Sequence, residues 1–290
     1  RTSTPDTGAA QATDGGAFTT PPSTLNPLSY GAAYALITNT VTMNGQAGYE
    51  VGVELTAAAQ PVDRCAGATR TSGACCFVPA AAAPDAPDAP GGLAGKNPDG
   101  GLSFVNASAG TLTFTDTSSN AALATSTYGQ VPSGFGTGEG YATALINPVT
   151  WSTGDVLAVS ATGESGQIPA FSASVHAVSM PDIAPPSTIL HASTQVFTWT
   201  PDANAATMTV TLAAYASSTS GSGTSHGTVS CQVDDAAGAL TIDPSVMQDF
   251  QAGDQCWTDL ERASDQKVNV AGGHVAFAAR ALNEVIATIQ

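Results

Sequence analysis

Gln195-Val-Phe-Thr-Trp199, Thr207-Met-Thr-Val-Thr-Leu212 and Thr228-Val-Ser-Cys-Gln-Val233 decide how this chain folds. Apolar and polar residues alternate in each. Phe197 and Trp199 share one face of the first segment. Met208, Val210 and Leu212 share one face of the second, with Thr207, Thr209 and Thr211 opposite. Val229, Cys231 and Val233 oppose Thr228, Ser230 and Gln232 in the third. A period of two residues is the signature of half-buried β-strands. Pro201-Asp-Ala-Asn204 separates the first two segments, a turn in which Pro fixes φ and Asp and Asn bond to their own backbone. Asp234-Asp-Ala-Ala-Gly238 closes the third. The pattern predicts one sheet of an antiparallel sandwich.

The 290 residues are long for one such sandwich and natural for two. Hydrophobic residues make up 42%, enough for real cores, but charged residues only 10%, well below the usual quarter. The polar surface therefore comes from Thr, Ser, Asn and Gln, which suit exposed strand faces. Twenty-three acidic against 7 basic residues give a net charge of −16. Such a surface repels phosphate backbones and anionic bilayers, which argues against nucleic acid and acidic membranes as partners. A solvated acidic surface is the plainer account; cation binding, Ca²⁺ above all, or a saline medium is the functional one. No apolar run approaches the ~20 residues of a transmembrane helix. Five cysteines, scarce lysine and a polar start at Arg1 suggest a mature exported chain whose targeting segment has been removed.

Residues 1–26, rich in Thr, Ala, Gly, Asp and Pro, read as a flexible arm or linker. The alternative is an arm that docks on a neighbouring subunit as an added strand, a route to self-assembly. Residues 27–181 read as the first sandwich. It opens with a hairpin turning at Asn44-Gly45, whose return strand puts Tyr49, Val51, Val53 and Leu55 on one face. A long Cys/Pro/Ala-rich loop over residues 57–101 interrupts it. Residues 182–186 form a Pro-rich junction, and residues 187–290 a second sandwich. In the second, Asp243-Pro244-Ser245 looks like a helix N-cap with Pro in the first turn, so one short helix is expected over residues 245–251. The last segment, residues 282–289, is expected to be a strand.

Cys231 and Cys256, 25 residues apart, are expected to bridge, and Cys65 to bridge Cys75 or Cys76, with Cys76 as the free or modified thiol in the favoured pairing. Gly223-Thr-Ser225-His-Gly227 fits the G-x-S-x-G nucleophile pattern, with His274 downstream as a partner, but the motif needs a strained strand-to-helix turn. Here it lies in a Ser/Gly-rich run between two strands, so a hairpin loop is the plainer reading. Asp202 with Asn204, and Asp234 with Asp235, are the Ca²⁺ candidates, although neither pair supplies the six or more oxygens that a hard cation needs. Turn chemistry explains both. Trp199 falls on an apolar face and reads as core; Trp151, beside a turn, is the best candidate for an aromatic that stacks on a ligand. No other cofactor motif appears.

Trp151-Ser-Thr-Gly-Asp155, Ile168-Pro-Ala-Phe171, Phe197-Thr-Trp199, Cys231-Gln-Val-Asp-Asp235 and Ile242-Asp-Pro-Ser245, with the Ala/Pro/Asp-rich spacers, resemble exported, often lipid-anchored, β-sandwich proteins of Gram-negative bacteria. The resemblance implies immunoglobulin- or fibronectin type III-like domains and brings no catalytic residues. The expectation is an all-β chain of two such sandwiches in tandem, extracellular, periplasmic or at the outer cell surface. It would be non-enzymatic and act in binding, adhesion or assembly on a protein or glycan partner. A secreted serine hydrolase using Ser225 is the alternative.

Overall fold

The structure, a computed structural model, describes residues 32–41, 47–51, 56–58, 65, 67–80, 104–106, 108–133, 136–141, 144–145, 151–183, 186–216 and 224–290. Its strands are β1 Ala32–Val41, β2 Ala47–Val51, β3 Thr56–Ala58, β4 Arg70–Ser72, β5 Cys75–Val78, β6 Phe104–Asn106, β7 Thr111–Asp116, β8 Ala121–Ser133, β9 Gly136–Tyr141, β10 Ala144–Leu145, β11 Val156–Ala161 and β12 Phe171–His176. Then follow β13 Thr188–Ile189, β14 Gln195–Thr198, β15 Thr207–Tyr215, β16 Ser225–Asp234, β17 Ala239–Ile242, β18 Gln255–Val270 and β19 Gly273–Ile289. The chain is all-β, as the alternation requires.

Strands from both ends of the chain share one 12-stranded sheet. Its main path runs β10-β2-β1-β19-β18-β15-β16-β5-β4, with β3 and β6 attached to β1 and β13 attached to β19. β1 lies parallel to β19, Ala32 opposite His274 and Val41 opposite Asn283. β5 lies antiparallel to β16. The described residues therefore do not form two self-contained sandwiches. β18 and β19 explain why: at 16 and 17 residues each spans about 55 Å. That is long enough to floor two cores in succession.

One face of this sheet carries both cores. Ile37, Val275, Phe277 and Ala279 meet the smaller sheet β12-β11-β7-β8-β9 through Leu112, Phe114, Leu157, Val159 and Phe171. Further along the same face, Met208, Val210, Leu212, Val229 and Leu260 meet Phe197 of β14 and Leu240 and Ile242 of β17. Val246, Met247 and Phe250 complete that second core. They were expected on a helix over residues 245–251, but the segment is a three-residue 3₁₀ turn, Pro244–Val246. Asp243 caps it as expected, its Oδ1 accepting from Ser245 N at 2.8 Å. The turn does not propagate because Val246, Met247 and Phe250 each donate to a carbonyl three residues back.

The loop expected over residues 57–101 holds the end of β3 and all of β4 and β5. Cys75-Cys-Phe-Val78 is short and sits among Ala, Pro and Gly, but the edge of β16 supplies its ladder. Residues 1–26, the Asn44-Gly45 turn and Val53 and Leu55 of the expected return strand lie outside the described residues.

The expected junction at residues 182–186 adjoins a fixed joint. Arg262, on the inner face of β18 and 2% exposed, points into the seam between the cores. Its Nε donates to Asp235 Oδ1 at 2.9 Å, its Nη1 to Ser179 Oγ at 2.6 Å and its Nη2 to the Thr200 carbonyl at 2.6 Å. Asp235 is fully buried and also accepts from Asp202 N at 2.6 Å. Trp199 Nε1 donates to the Asp235 carbonyl at 2.8 Å. One guanidinium thus ties residues 179–180, the 199–202 turn and β18 together. The signal was present in the sequence: Arg262 shares the parity of the inward Cys256, Thr258 and Leu260.

Candidate functional site

The opposite face of the large sheet has no described layer over it where β15, β18 and β19 run side by side. Pairing register sets its rows. Trp257 lies between Ile286 and Ala213, Asp259 between Glu284 and Thr211, and Glu261 between Leu282 and Thr209. Three carboxylates and a tryptophan therefore share a patch two strands wide, with Arg280 diagonal to Glu261. Arg280 Nη1 reaches Glu261 Oε2 at 3.2 Å.

The patch is short of partners. Asp259 Oδ1 and Thr209 Oγ1 are buried without a hydrogen bond, and so is Arg280 Nε. Thr209 is 2% exposed. Buried polar atoms are normally satisfied, so such a group calls for an explanation. Asp259 feels this electrostatically. Burial, then Glu284 and Glu261, pushes its carboxyl up to about 7. Burial also raises Glu284. Among the described residues no cation lies against Asp259 or Glu284 within ion-pair distance.

The residues singled out from the sequence fall elsewhere. Ser225 opens β16 as part of a strand, not a strand-to-helix turn, and its Oγ accepts from Gly227 N at 3.2 Å. Ser225 is level with Tyr215, Gln255 and Thr288 in successive strands, whereas His274 lies fourteen residues back along β19. That places the two on the order of 45 Å apart. His226, beside Ser225, is the extra residue of a β-bulge, and its Nδ1 meets Asp254 Oδ2 at 2.5 Å.

The oxygens of the Ca²⁺ candidates face N–H groups. Asp202 accepts from Ser179 N at 2.7 Å and Asn204 N at 2.9 Å, and Asp235 is held by Arg262. Asp234 precedes the 3₁₀ turn at Asp235–Ala237 and makes no side-chain capping bond. No group of three or more His, Cys, Asp or Glu among the described residues converges as metal ligands. Trp151 is half-buried against the first core.

The cysteines pair only in part as expected: Cys65 takes Cys76, one of its two expected partners, but Cys231 does not take Cys256. Cys75 bonds to Cys231 and Cys65 to Cys76, leaving Cys256 as the buried free thiol in place of Cys76. Cys231 and Cys256 flank β15 on opposite sides, level with Val210 and Ala214. Two strands and four residues separate them by roughly 16 Å, far beyond the ~7 Å limit of a disulfide. Cys75 lies directly opposite Cys231. The sequence held one usable signal: neighbouring cysteines on a strand point to opposite faces, so Cys75 and Cys76 must take partners on opposite sides.

No protein-family model, curated protein or solved structure matches this chain.

Proposed function

We propose that this chain is a non-enzymatic binding protein of an oxidising exterior, secreted or held at the cell surface. It acts in adhesion or assembly through a sheet face. The observation behind this reading is the patch around Trp257 and Asp259, where buried polar atoms lack partners on a face with no described cover. A sheet that leaves hydrogen-bonding capacity unused beside a half-buried tryptophan is suited to receiving a ligand. Two disulfides fit the compartment, because reducing interiors keep thiols free. Among the described residues no helix is long and apolar enough to cross a membrane.

The intact chain is tested on arrays of glycans and of exported-protein fragments, with a fluorophosphonate probe in parallel. Saturable retention of a partner, weakened by Trp257→Ala, is the expected result. Labelling of Ser225 by the probe, with no retained partner, would overturn the reading in favour of a hydrolase.

A further inference from the structure

Thr207, Thr209 and Thr211 of β15 lie on the outer face of the large sheet, each between two cross-strand partners. Thr207 lies between Asp234 and Ala263, and Thr211 between Ser230 and Asp259. Thr209 alone has a carboxamide on one side, Gln232 of β16, and a carboxylate on the other, Glu261 of β18. It is also the buried member of the three, 2% exposed, and its Oγ1 bonds to nothing. A hydroxyl buried in that way costs stability, and valine would fill the same space without the cost.

This juxtaposition has a definite chemistry. Side chains directly opposite on neighbouring antiparallel strands hold their Cβ atoms about 4.5–5.5 Å apart. An ester between Thr209 Oγ1 and Gln232 Cδ puts four bonds between those two atoms, a path of about 5 Å when extended. The link therefore fits the pairing without moving either strand. Gln232 is exposed, so its amide nitrogen has a way out as ammonia, whereas the burial of Thr209 keeps water from the new bond. Glu261, whose Oε2 accepts from Arg280 Nη1 at 3.2 Å, supplies a proton acceptor across from the hydroxyl.

We propose that Thr209 and Gln232 become joined by an intramolecular ester that staples β15 to β16. Glu261 takes the hydroxyl proton as Oγ1 attacks Cδ of the amide, and the C–O bond forms. Glu261 then passes the proton to the amide nitrogen, and the C–N bond breaks to release ammonia. Nothing is oxidised or reduced, and no second substrate is consumed. This inference does not rest on the binding reading above.

The test holds the whole chain folded at neutral pH until its mass is constant, then unfolds and reduces it and measures the intact mass. That mass is expected to fall short of the sequence by one ammonia. Chymotrypsin, which cuts after Tyr215 between the two residues, should yield a peptide with Thr209 joined to one with Gln232. Hydroxylamine should part them, since it cleaves esters and spares amides. Thr209→Val and Gln232→Met should each carry the full mass, and Glu261→Gln should form the link about a hundredfold more slowly or worse. Thr209→Val also separates the link from a merely structural role. Loss of a buried, unbonded hydroxyl should leave the melting temperature unchanged or higher if no link exists, and loss of the staple should lower it.

A full mass in the parent chain, a deficit that persists in Thr209→Val, or a joined product that survives hydroxylamine each overturns the proposal. An unchanged rate in Glu261→Gln would overturn the step as written, because the proton would then have another acceptor.

Discussion

Arg262 Nε donates to Asp235 Oδ1 at 2.9 Å, with the two side chains 2% and 0% exposed, at the seam where the two cores meet. A sealed ion pair is costly to form and costlier to break, because removing one partner strands the other charge in a medium of low dielectric. Arg262→Ala is expected to destabilise the protein by about 3–5 kcal/mol. Arg262→Lys keeps the charge but loses the planar fork that reaches Asp235, Ser179 and Thr200 together, so most of the loss should remain. Denaturant unfolding measures both. A change under about 1 kcal/mol, the range of surface pairs, would mean that the seam is wetter than described.

The two disulfides should differ in weight. Cys75–Cys231 closes 156 residues of chain and Cys65–Cys76 only 11. In the chain-entropy model these are worth about 5 and about 3 kcal/mol. The paired variant Cys75→Ala/Cys231→Ala should therefore melt well below Cys65→Ala/Cys76→Ala. The reverse order would show that the β4–β5 hairpin is held chiefly by its packing. That packing includes Arg70, over the Phe77 ring and 2.6 Å from Asp249.

Stability should rise on mild acidification. Asp259 is pushed up to about 7 by burial and by its acidic neighbours Glu284 and Glu261. The folded chain thus holds a proton that the unfolded chain, near 4, has released. The contribution is fully present below about pH 4 and is lost as pH rises towards 7. It is worth on the order of 4 kcal/mol. Hydrogen bonds from Thr200 to Asp182 and from Ser245 to Asp243 lower those carboxyls, so they pull the other way below about pH 4. The unfolding free energy should peak near pH 4, and Asp259→Asn should flatten its fall between about pH 4 and 7. An unchanged slope in that variant would remove Asp259 as the source.

Gly227 sits at φ +114°, next to the bulged His226. A Cβ there would lie 2.6 Å from the Phe77 ring and 2.8 Å from the Val78 carbonyl. Both the backbone conformation and the packing demand glycine. Gly227→Ala is expected to cost about 2 kcal/mol or more and to loosen the β5–β16 pairing, read as faster amide exchange at Val78, which lies opposite Thr228. Full stability in this variant would contradict the bulge.

Local alternation made the strands legible. Met208, Val210 and Leu212 are all fully buried, and the partition at Val229 and Cys231 holds. Residues 256–262 and 268–270 read as separate strands because the polar run Asp265-Gln-Lys267 breaks the apolar pattern. In the structure β18 passes straight through, since backbone pairing to β19 does not require apolar side chains. The parallel contact of β1 with β19 was invisible, because no local pattern encodes a partner about 240 residues away. The same limit hid Cys75 opposite Cys231. At the candidate site, parity alone put Trp257, Asp259 and Glu261 on one face of β18. Only the register with β19 and β15 brought Glu284 and Thr209 to them.

The shared sheet, stapled at one edge by Cys75 and Cys231, is the claim on which the rest depends. Peptide mass spectrometry of the native protein, digested without reduction after alkylation, tests it most directly. The account predicts two linked pairs, Cys75–Cys231 and Cys65–Cys76, with Cys256 unlinked and unalkylated until the protein is unfolded. Burial pushes that thiol up to about 12, so it offers almost no thiolate. A Cys231–Cys256 link, or five thiols open to alkylation, would contradict it.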